Sequence, residues 1–120
     1  MQVYNGGDLP AHFKLQIDIH SKQSGELIKK LSLKLEEKYL TIDLEKLPRG
    51  TIEIDTKKRL ITLSYSNGEK GIVTEIINDY IIAGDFFLIP VSDKITDIKL
   101  LEFGTSNFAS VNIDYKYRYL

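Results

Sequence analysis

Apolar and polar positions alternate most clearly in the middle of the chain, from residue 50 to 65. Isoleucines alternate with acidic residues in 52–55, and apolar residues alternate with threonine and serine in 61–65. A period of two in β-branched sequence is typical of a strand with one buried face. The charged stretch at 55–59 suits an exposed turn opened by an aspartate. We therefore predict a β-hairpin with its apolar face on a core.

The same alternation predicts strands on both sides of this hairpin. It is clean in residues 12–20 and again in 111–119, which we predict to be the last and most regular strand. Further runs predict strands at 40–44, 72–77, 86–91 and 97–103, with turns at 21–25, 66–71 and 104–107. The turn at 66–71 contains Asn-Gly and should pair 72–77 with the second strand of the hairpin. Residues 78–85 are predicted to be a loop that carries Tyr80.

Residues 26–39 are ambiguous between a helix and a strand. Leucines at 27, 31 and 35 and a tyrosine at 39 are spaced by four, which also fits a helix. However, leucines at 31, 33 and 35 alternate with polar residues, and strands are predicted on both sides. We predict a strand here.

About nine short strands with turns every 8–12 residues indicate an all-β fold. The architecture that fits them is a two-sheet antiparallel β-sandwich of jelly-roll type. With 120 residues, 42% hydrophobic and 28% charged, the chain is expected to form one globular domain spanning 1–120.

Composition excludes several classes of function. A net charge of −1 argues against a nucleic-acid partner, which needs a strong positive field. The absence of cysteine excludes disulfides and thiolate chemistry. No apolar run is long enough to cross a bilayer, and the first residues do not have the pattern of a secretion signal. We expect no membrane insertion and synthesis in the cytoplasm.

Candidate catalytic and metal-binding residues are few. His12 and His20 lie about 26 Å apart along one extended strand, too far to bind one metal ion, so both are interpreted as surface side chains. Glu53 and Asp55 lie about 6.6 Å apart on one strand face, a span compatible with a glycosidase acid pair but common in any polar strand face. No nucleophile, phosphate-binding or calcium-loop motif is present. We predict no catalytic residues, no metal site and no cofactor.

The tyrosines are the only residues that suggest binding. Tyr115, Tyr117 and Tyr119 follow the parity of Val111 and Ile113, so a core stripe with its hydroxyls at the rim is the favoured interpretation. The alternative, which also includes Tyr80, is a surface that contacts a ligand or partner protein. Aromatic rings of this kind stack on sugars.

Several stretches taken together resemble the C-terminal domain of siphophage distal tail proteins, the Dit family. They are the segment Asn5-Gly-Gly-Asp-Leu-Pro10, the alternating run 13–19, the hairpin strands 50–55 and 59–63, Asp79-Tyr80 leading to 86–90, and the aromatic strand 111–119. The resemblance covers nearly all of the chain. It implies a galectin-like β-sandwich and a structural role at the tip of a phage or prophage tail.

The resemblance also implies partners and a location. Such domains contact other tail or baseplate proteins in the virion, and some are suspected of gripping host saccharides. The family's ring-forming N-terminal domain has no counterpart in these residues, so a hexamer is implied only in the context of a longer chain. The residues with which true galectins hold galactosides are also missing, so galectin-type sugar binding is not implied.

Two functions of different classes are therefore expected. The first is a non-enzymatic structural domain of a phage tail tip. The second is a carbohydrate-binding module for a host cell-surface polysaccharide, with Tyr115 and Tyr117 as its contact residues.

Overall fold

A computed structural model describes residues 1–20, 29–103 and 107–120 of the chain. The described part contains eleven strands: β1 (Gln2–Val3), β2 (Phe13–His20), β3 (Lys30–Leu35), β4 (Lys38–Asp43), β5 (Thr51–Asp55), β6 (Leu60–Ser66), β7 (Ile72–Ile76), β8 (Ile81–Gly84), β9 (Thr96–Asp97), β10 (Lys99–Phe103) and β11 (Asn107–Tyr115). Two short 3-10 helices, Gly68–Lys70 and Asn78–Tyr80, flank β7. The predicted turn at 21–25 lies outside the described residues, as does most of the one at 104–107.

Nine of these strands form two antiparallel sheets. The larger sheet has the order β11-β2-β5-β6-β7, and the smaller has the order β10-β3-β4-β8. The two remaining strands, β1 and β9, pair with each other. Within the two sheets, β3–β4, β5–β6 and β6–β7 are pairs of consecutive strands, whereas β2 pairs with β5 and β11, β3 with β10, and β4 with β8.

One apolar core is formed by the inward-facing residues of both sheets. The larger sheet contributes Leu15, Ile17, Ile52, Ile54, Ile61 and Leu63, and the smaller contributes Leu31, Leu33, Leu35, Leu40 and Ile42. Each is almost completely buried, which stabilises the fold by about 1.5–3 kcal/mol per side chain. The predicted all-β sandwich of two antiparallel sheets is confirmed.

The central hairpin has the predicted form. Ile52 lies opposite Leu63 and Ile54 opposite Ile61, and all four face the core. Asp55 opens the turn as expected, because its Oδ1 accepts hydrogen bonds of 3.1 Å from the backbone N–H groups of Lys57 and Lys58.

The ambiguous segment is a strand where it is described, but it is shorter than predicted. β3 ends at Leu35, and Glu36 turns the chain with a left-handed backbone conformation (φ 56°). Tyr39 belongs to the returning strand β4. The prediction of one strand through Tyr39 was wrong, because the two glutamates at 36 and 37 form a two-residue turn that carries no glycine or asparagine signal.

Residues 78–91 differ most from expectation. The predicted loop contains strand β8, which pairs with β4 through Ile81 opposite Ile42. Residues 86–91 were predicted to be a strand, but they form no continuous series of strand pairs. They make one isolated bridge, between Ile89 and Ala11. Pro10 and Pro90 flank that bridge and lack the N–H donors that further pairing would need.

The predicted strand at 97–103 is divided between two sheets. β9 pairs with β1, which the sequence pattern did not predict, and β10 pairs with β3. The buried Ile98 separates them, and its N–H donates to the carbonyl of Met1 over 2.7 Å. This division ties the amino-terminal residues to the smaller sheet.

Candidate functional site

The last predicted strand ends earlier than its alternation suggests. β11 stops at Tyr115, opposite Phe13, because its partner β2 begins there and offers no residue to pair with those that follow. Val111, Ile113 and Tyr115 pack partly buried against the core, as the stripe interpretation predicts. For Tyr117 and Tyr119 that interpretation was wrong, since they are 41% and 65% exposed.

The exposed tyrosines are joined by one that sequence reasoning missed. The ring of Tyr4 lies edge-on to Tyr117, with ring centroids 6.1 Å apart and an interplanar angle of 76°. The N–H of Tyr4 donates to the hydroxyl of Tyr115 over 3.0 Å. Tyr4, Tyr115, Tyr117 and Tyr119 are named the tyrosine cluster. Its phenols influence one another, because partial burial of Tyr117, followed by the charges of Tyr115, Tyr4 and Tyr119, raises the pKa of Tyr117 above 10.0.

Backbone contacts between the two ends of the chain hold this cluster. The carbonyl of Arg118 accepts hydrogen bonds from the N–H groups of Asp8, at 2.8 Å, and Leu9, at 3.1 Å. A Cβ atom on Gly7 would lie 2.7 Å from that same carbonyl oxygen, so the close approach requires glycine. The two terminal segments therefore fit against each other through their main chains.

The buried side chain of Asn5 holds the amino-terminal segment in place through hydrogen bonds. It donates to the carbonyls of Leu9 (3.1 Å) and Ile89 (2.9 Å). Its Oδ1 accepts from the N–H of Gly7 over 3.0 Å. One asparagine thus satisfies two backbone groups of its own segment and joins that segment to the carbonyl of Ile89.

Tyr80 lies apart from the tyrosine cluster. It ends the 3-10 helix that follows β7, and β7 and β11 are opposite edges of the same five-stranded sheet. Four strand spacings separate those edges, or roughly 19 Å. The structure therefore brings Tyr115, Tyr117 and Tyr119 together, and Tyr80 belongs to a different surface.

A groove of about 670 Å³ runs beside the tyrosine cluster. It is lined by residues 12–14 at the start of β2, by Asp55, Lys57 and Lys58 at the tip of the central hairpin, and by residues 114–118. We name it the terminal groove. Its volume falls in the range of small-ligand sites, roughly 300–1,000 Å³.

Cross-strand pairing explains the polar wall of the terminal groove. Lys14 lies between Asp114 of β11 and Asp55 of β5 in the sheet register. Its Nζ is 3.9 Å from Asp55 Oδ2 and 3.6 Å from Glu53 Oε1. The two carboxylates considered as a glycosidase pair therefore share a lysine, and Asp55 also holds the hairpin turn.

His12 lies just before β2 and lines the terminal groove. Its Nδ1 is buried and has no hydrogen-bond partner among the described residues. Burial, followed by the positive charges of Arg118 and Lys57, lowers the pKa of His12 below 6.5, and Asp55 opposes this shift. The predicted description of His12 as an ordinary surface side chain was therefore incomplete.

The basic run at the hairpin tip is divided between two surfaces. Lys57 and Lys58 line the terminal groove, whereas Arg59 lies on the other side of the tip. Arg59 Nη2 donates to Asp85 Oδ1 over 2.8 Å, and its guanidinium lies 5.1 Å from the ring centre of Phe86. The hydrogen bonds from Arg59 and from the backbone N–H of Phe86 lower the pKa of Asp85.

The outer face of the larger sheet carries an apolar edge. On that face β2, β5 and β6 present polar residues, whereas β7 presents Ile72 and Ile76, opposite Ser66 and Thr62. These isoleucines are 76% and 66% exposed, and Ile82 of β8 is half exposed. β7 and β8 are edge strands of their sheets in the described structure. We name residues 72–84 the edge segment.

Neither a metal centre nor a membrane-spanning helix is found among the described residues. No group of three histidine or acidic side chains in the described ranges is arranged to hold a metal ion. None of the helices in those ranges has the length and apolar character needed to cross a membrane.

Comparisons of the chain with protein-family models, with curated proteins and with solved structures find no match. A function for the chain is therefore inferred from the two surfaces just described and from the sequence resemblance.

Proposed function

We propose that this chain is a non-enzymatic structural domain at the tip of a phage or prophage tail, where it contacts other tail or baseplate proteins. The observation that carries the proposal is the edge segment. Exposed isoleucines on an otherwise polar sheet face are typical of a protein–protein contact surface. An unpaired edge strand also offers backbone groups to a partner.

The sequence resemblance and the fold support the same proposal. The resemblance to the galectin-like domain of distal tail proteins implies a β-sandwich, and the chain is an all-β sandwich. In addition, the carboxylates weighed as a catalytic pair have structural partners, Lys14 for both and the turn N–H groups for Asp55. These contacts favour a binding role over catalysis.

The test is to locate the protein on particles. Antibodies against the purified chain would be applied to particles released by prophage induction of the organism that encodes it. We expect labelling at the distal end of the tail in electron micrographs. Labelling of the capsid, or particles without the protein, would contradict the proposal.

A matched pair of variants tests whether the edge segment is the surface through which the chain is incorporated into particles. Ile72→Lys with Ile76→Lys should leave the chain folded and remove it from particles, because two charges would be buried in the contact. Gln16→Lys with Asn112→Lys adds the same charge on the same sheet face, away from β7, and should leave incorporation unchanged.

A second candidate is a carbohydrate-binding module, and the tyrosine cluster favours it. Tyr117 and Tyr119 present exposed rings beside a groove of suitable size, and aromatic rings stack on the apolar faces of sugars. The test is a screen of the purified chain against bacterial cell-wall polysaccharides. Binding should be lost in Tyr117→Ala and retained in Tyr80→Ala, since Tyr80 lies at the opposite edge of the sheet.

A further inference from the structure

Positive charge is concentrated in the terminal groove. Lys57 and Lys58 reach it from the hairpin tip, and Lys116 and Arg118 reach it from the segment after β11. The three lysines form no ion pair with any residue in the described part of the chain. Arg118 Nη1 donates to the carbonyl of Pro10 over 2.9 Å, a contact that leaves its charge uncompensated.

The acidic residues of the groove do not balance its basic residues. Asp55 is already engaged by the turn N–H groups and by Lys14, and Lys14 is also near Glu53. Five basic and two acidic side chains line the groove, an excess of three positive charges in a chain whose net charge is −1. The concentration is therefore local and is not a property of the whole surface.

His12 lies among these cations. Burial, followed by the charges of Arg118 and Lys57, lowers the pKa of His12, and Asp55 opposes the shift. An anion bound between these cations would reverse the effect and favour the charged imidazolium.

We propose that the terminal groove binds an acidic saccharide, a chain of sugars carrying carboxylate or phosphate groups. A sugar ring stacks on Tyr117, and the acidic groups are held by Lys57, Lys58 and Lys116. This inference deepens the carbohydrate-binding candidate and depends on it, but it is independent of the proposed role in tail assembly.

A saccharide fits the groove better than a nucleic acid does. Asp114 lines the same groove as the lysines. Carboxylates accept hydrogen bonds from sugar hydroxyls but repel a polymer with a phosphate at every residue. A mixed lining of this kind suits a hydroxyl-rich ligand whose acidic groups are spaced along it.

The experiment measures binding of the purified chain to defined probes by calorimetry. Oligogalacturonate supplies carboxylates, a glycerol-phosphate oligomer bearing sugars supplies phosphates, and methyl-esterified oligogalacturonate supplies the neutral control. Single-stranded oligo-dT and polyglutamate represent other acidic polymers. We expect binding to a charged saccharide with little binding to the ester, weakened by added salt.

Charge-reversal variants locate the site. Lys57→Glu with Lys58→Glu should weaken saccharide binding by about tenfold or more, since two favourable contacts become repulsive. Lys34→Glu with Lys38→Glu makes the same change in net charge on the other sheet and should leave binding unchanged. Saccharide binding should also raise the pKa of His12, measured by NMR.

Each contrary outcome has a distinct meaning. Equal binding to the charged and esterified saccharides would overturn the anionic specificity and leave the carbohydrate candidate standing. Tighter binding to oligo-dT or polyglutamate would overturn the saccharide assignment. Equal losses in the two charge-reversal variants would overturn the location. Binding to none of the probes would overturn the inference, and the polysaccharide screen would then decide the carbohydrate candidate separately.

Discussion

The terminal groove and the edge segment are two surfaces of one sandwich that are built in opposite ways. Three segments distant in sequence meet at the groove, and charged and aromatic side chains line it. The edge segment is one continuous stretch whose exposed large apolar side chains are three isoleucines and Tyr80. The groove thus offers hydrogen bonds and charge to a polar ligand, whereas the edge segment offers apolar area and unpaired backbone groups to a protein.

This difference predicts how each surface responds to mutation. The groove exists only if its segments are held in place, so substitutions at buried anchors should destroy it from a distance. The edge isoleucines contribute little to the core, so replacing them should change binding and leave the fold intact. Four experiments test this contrast, beginning with the largest expected effect.

Gly84→Ala tests whether the edge segment is firmly attached to β4. Gly84 has a φ of 75°, and a Cβ atom there would collide with the carbonyl oxygen of Tyr39. We expect a loss of about 3–4 kcal/mol in the free energy of unfolding, measured by urea denaturation.

Gly71→Ala is the control for backbone strain alone. Gly71 has the same φ of 75°, but a Cβ atom added there would have no other atom within 4 Å. Its loss should be about 1–2 kcal/mol. Equal losses in the two variants would show that the contact with Tyr39 does not matter and that β8 is loosely held.

Asn5→Ala tests the support of the terminal groove. Removing the side chain breaks three hydrogen bonds to backbone groups, two of them fully buried, and should cost about 2–3 kcal/mol. Thermal or urea unfolding measures this loss. Asn112→Ala, at an exposed position on β11, should change stability by less than about 0.5 kcal/mol. A neutral Asn5→Ala would mean that the amino-terminal segment is not held by this side chain.

Ile72→Thr with Ile76→Thr tests whether the edge isoleucines are free of the core. Both substitutions keep a β-branched side chain on an exposed strand, so the free energy of unfolding should change by less than about 0.5 kcal/mol. Ile52→Thr, on the buried face of β5, should cost about 2 kcal/mol or more by the same measurement. Similar losses in both proteins would place the edge isoleucines in the core.

His12→Gln tests the field in the terminal groove through pH. Because the pKa of folded His12 is below 6.5, the unfolded chain takes up the proton first as the pH falls. The native protein should therefore lose stability as the pH falls through 6.5 towards the folded pKa, and gain none above 6.5. The variant should lack this increment, seen as a smaller difference in unfolding free energy between about pH 7.5 and 5.5. An unchanged difference would mean that neither burial nor the charges of Arg118 and Lys57 lower the pKa of His12.

The sequence predicts the parts of the fold that depend on local alternation. The period of two predicts β2, the β5–β6 hairpin and β7. In β2 and the hairpin one face packs on the core, and β7 lies at the exposed edge of the sheet. β8 and the division between β9 and β10 do not follow, since pairing partners far along the chain decide them. The alternation also predicted a last strand that extends too far, to residue 119. β11 ends at Tyr115, because its end depends on where β2 begins.

The candidate site was predictable only in part. The tyrosines of the carboxyl-terminal segment stand out in the sequence, but their exposure depends on the end of β11. Tyr4 and the lysines of the hairpin tip carry no local signal that links them to those tyrosines. Gly7 is the one clue in the sequence, because a glycine outside a turn pattern can mark a close approach of two chain segments.

The pairing of β2 with β11 has a kinetic consequence. It joins Phe13 to Tyr115 across most of the length of the chain, whereas β3–β4, β5–β6 and β6–β7 are pairs of neighbouring segments. Closing a long loop costs conformational entropy before any contact offsets it, so the local hairpins should form first. The terminal groove is then among the last parts of the protein to become structured, and its formation sets the time after which the folding chain can bind a ligand there.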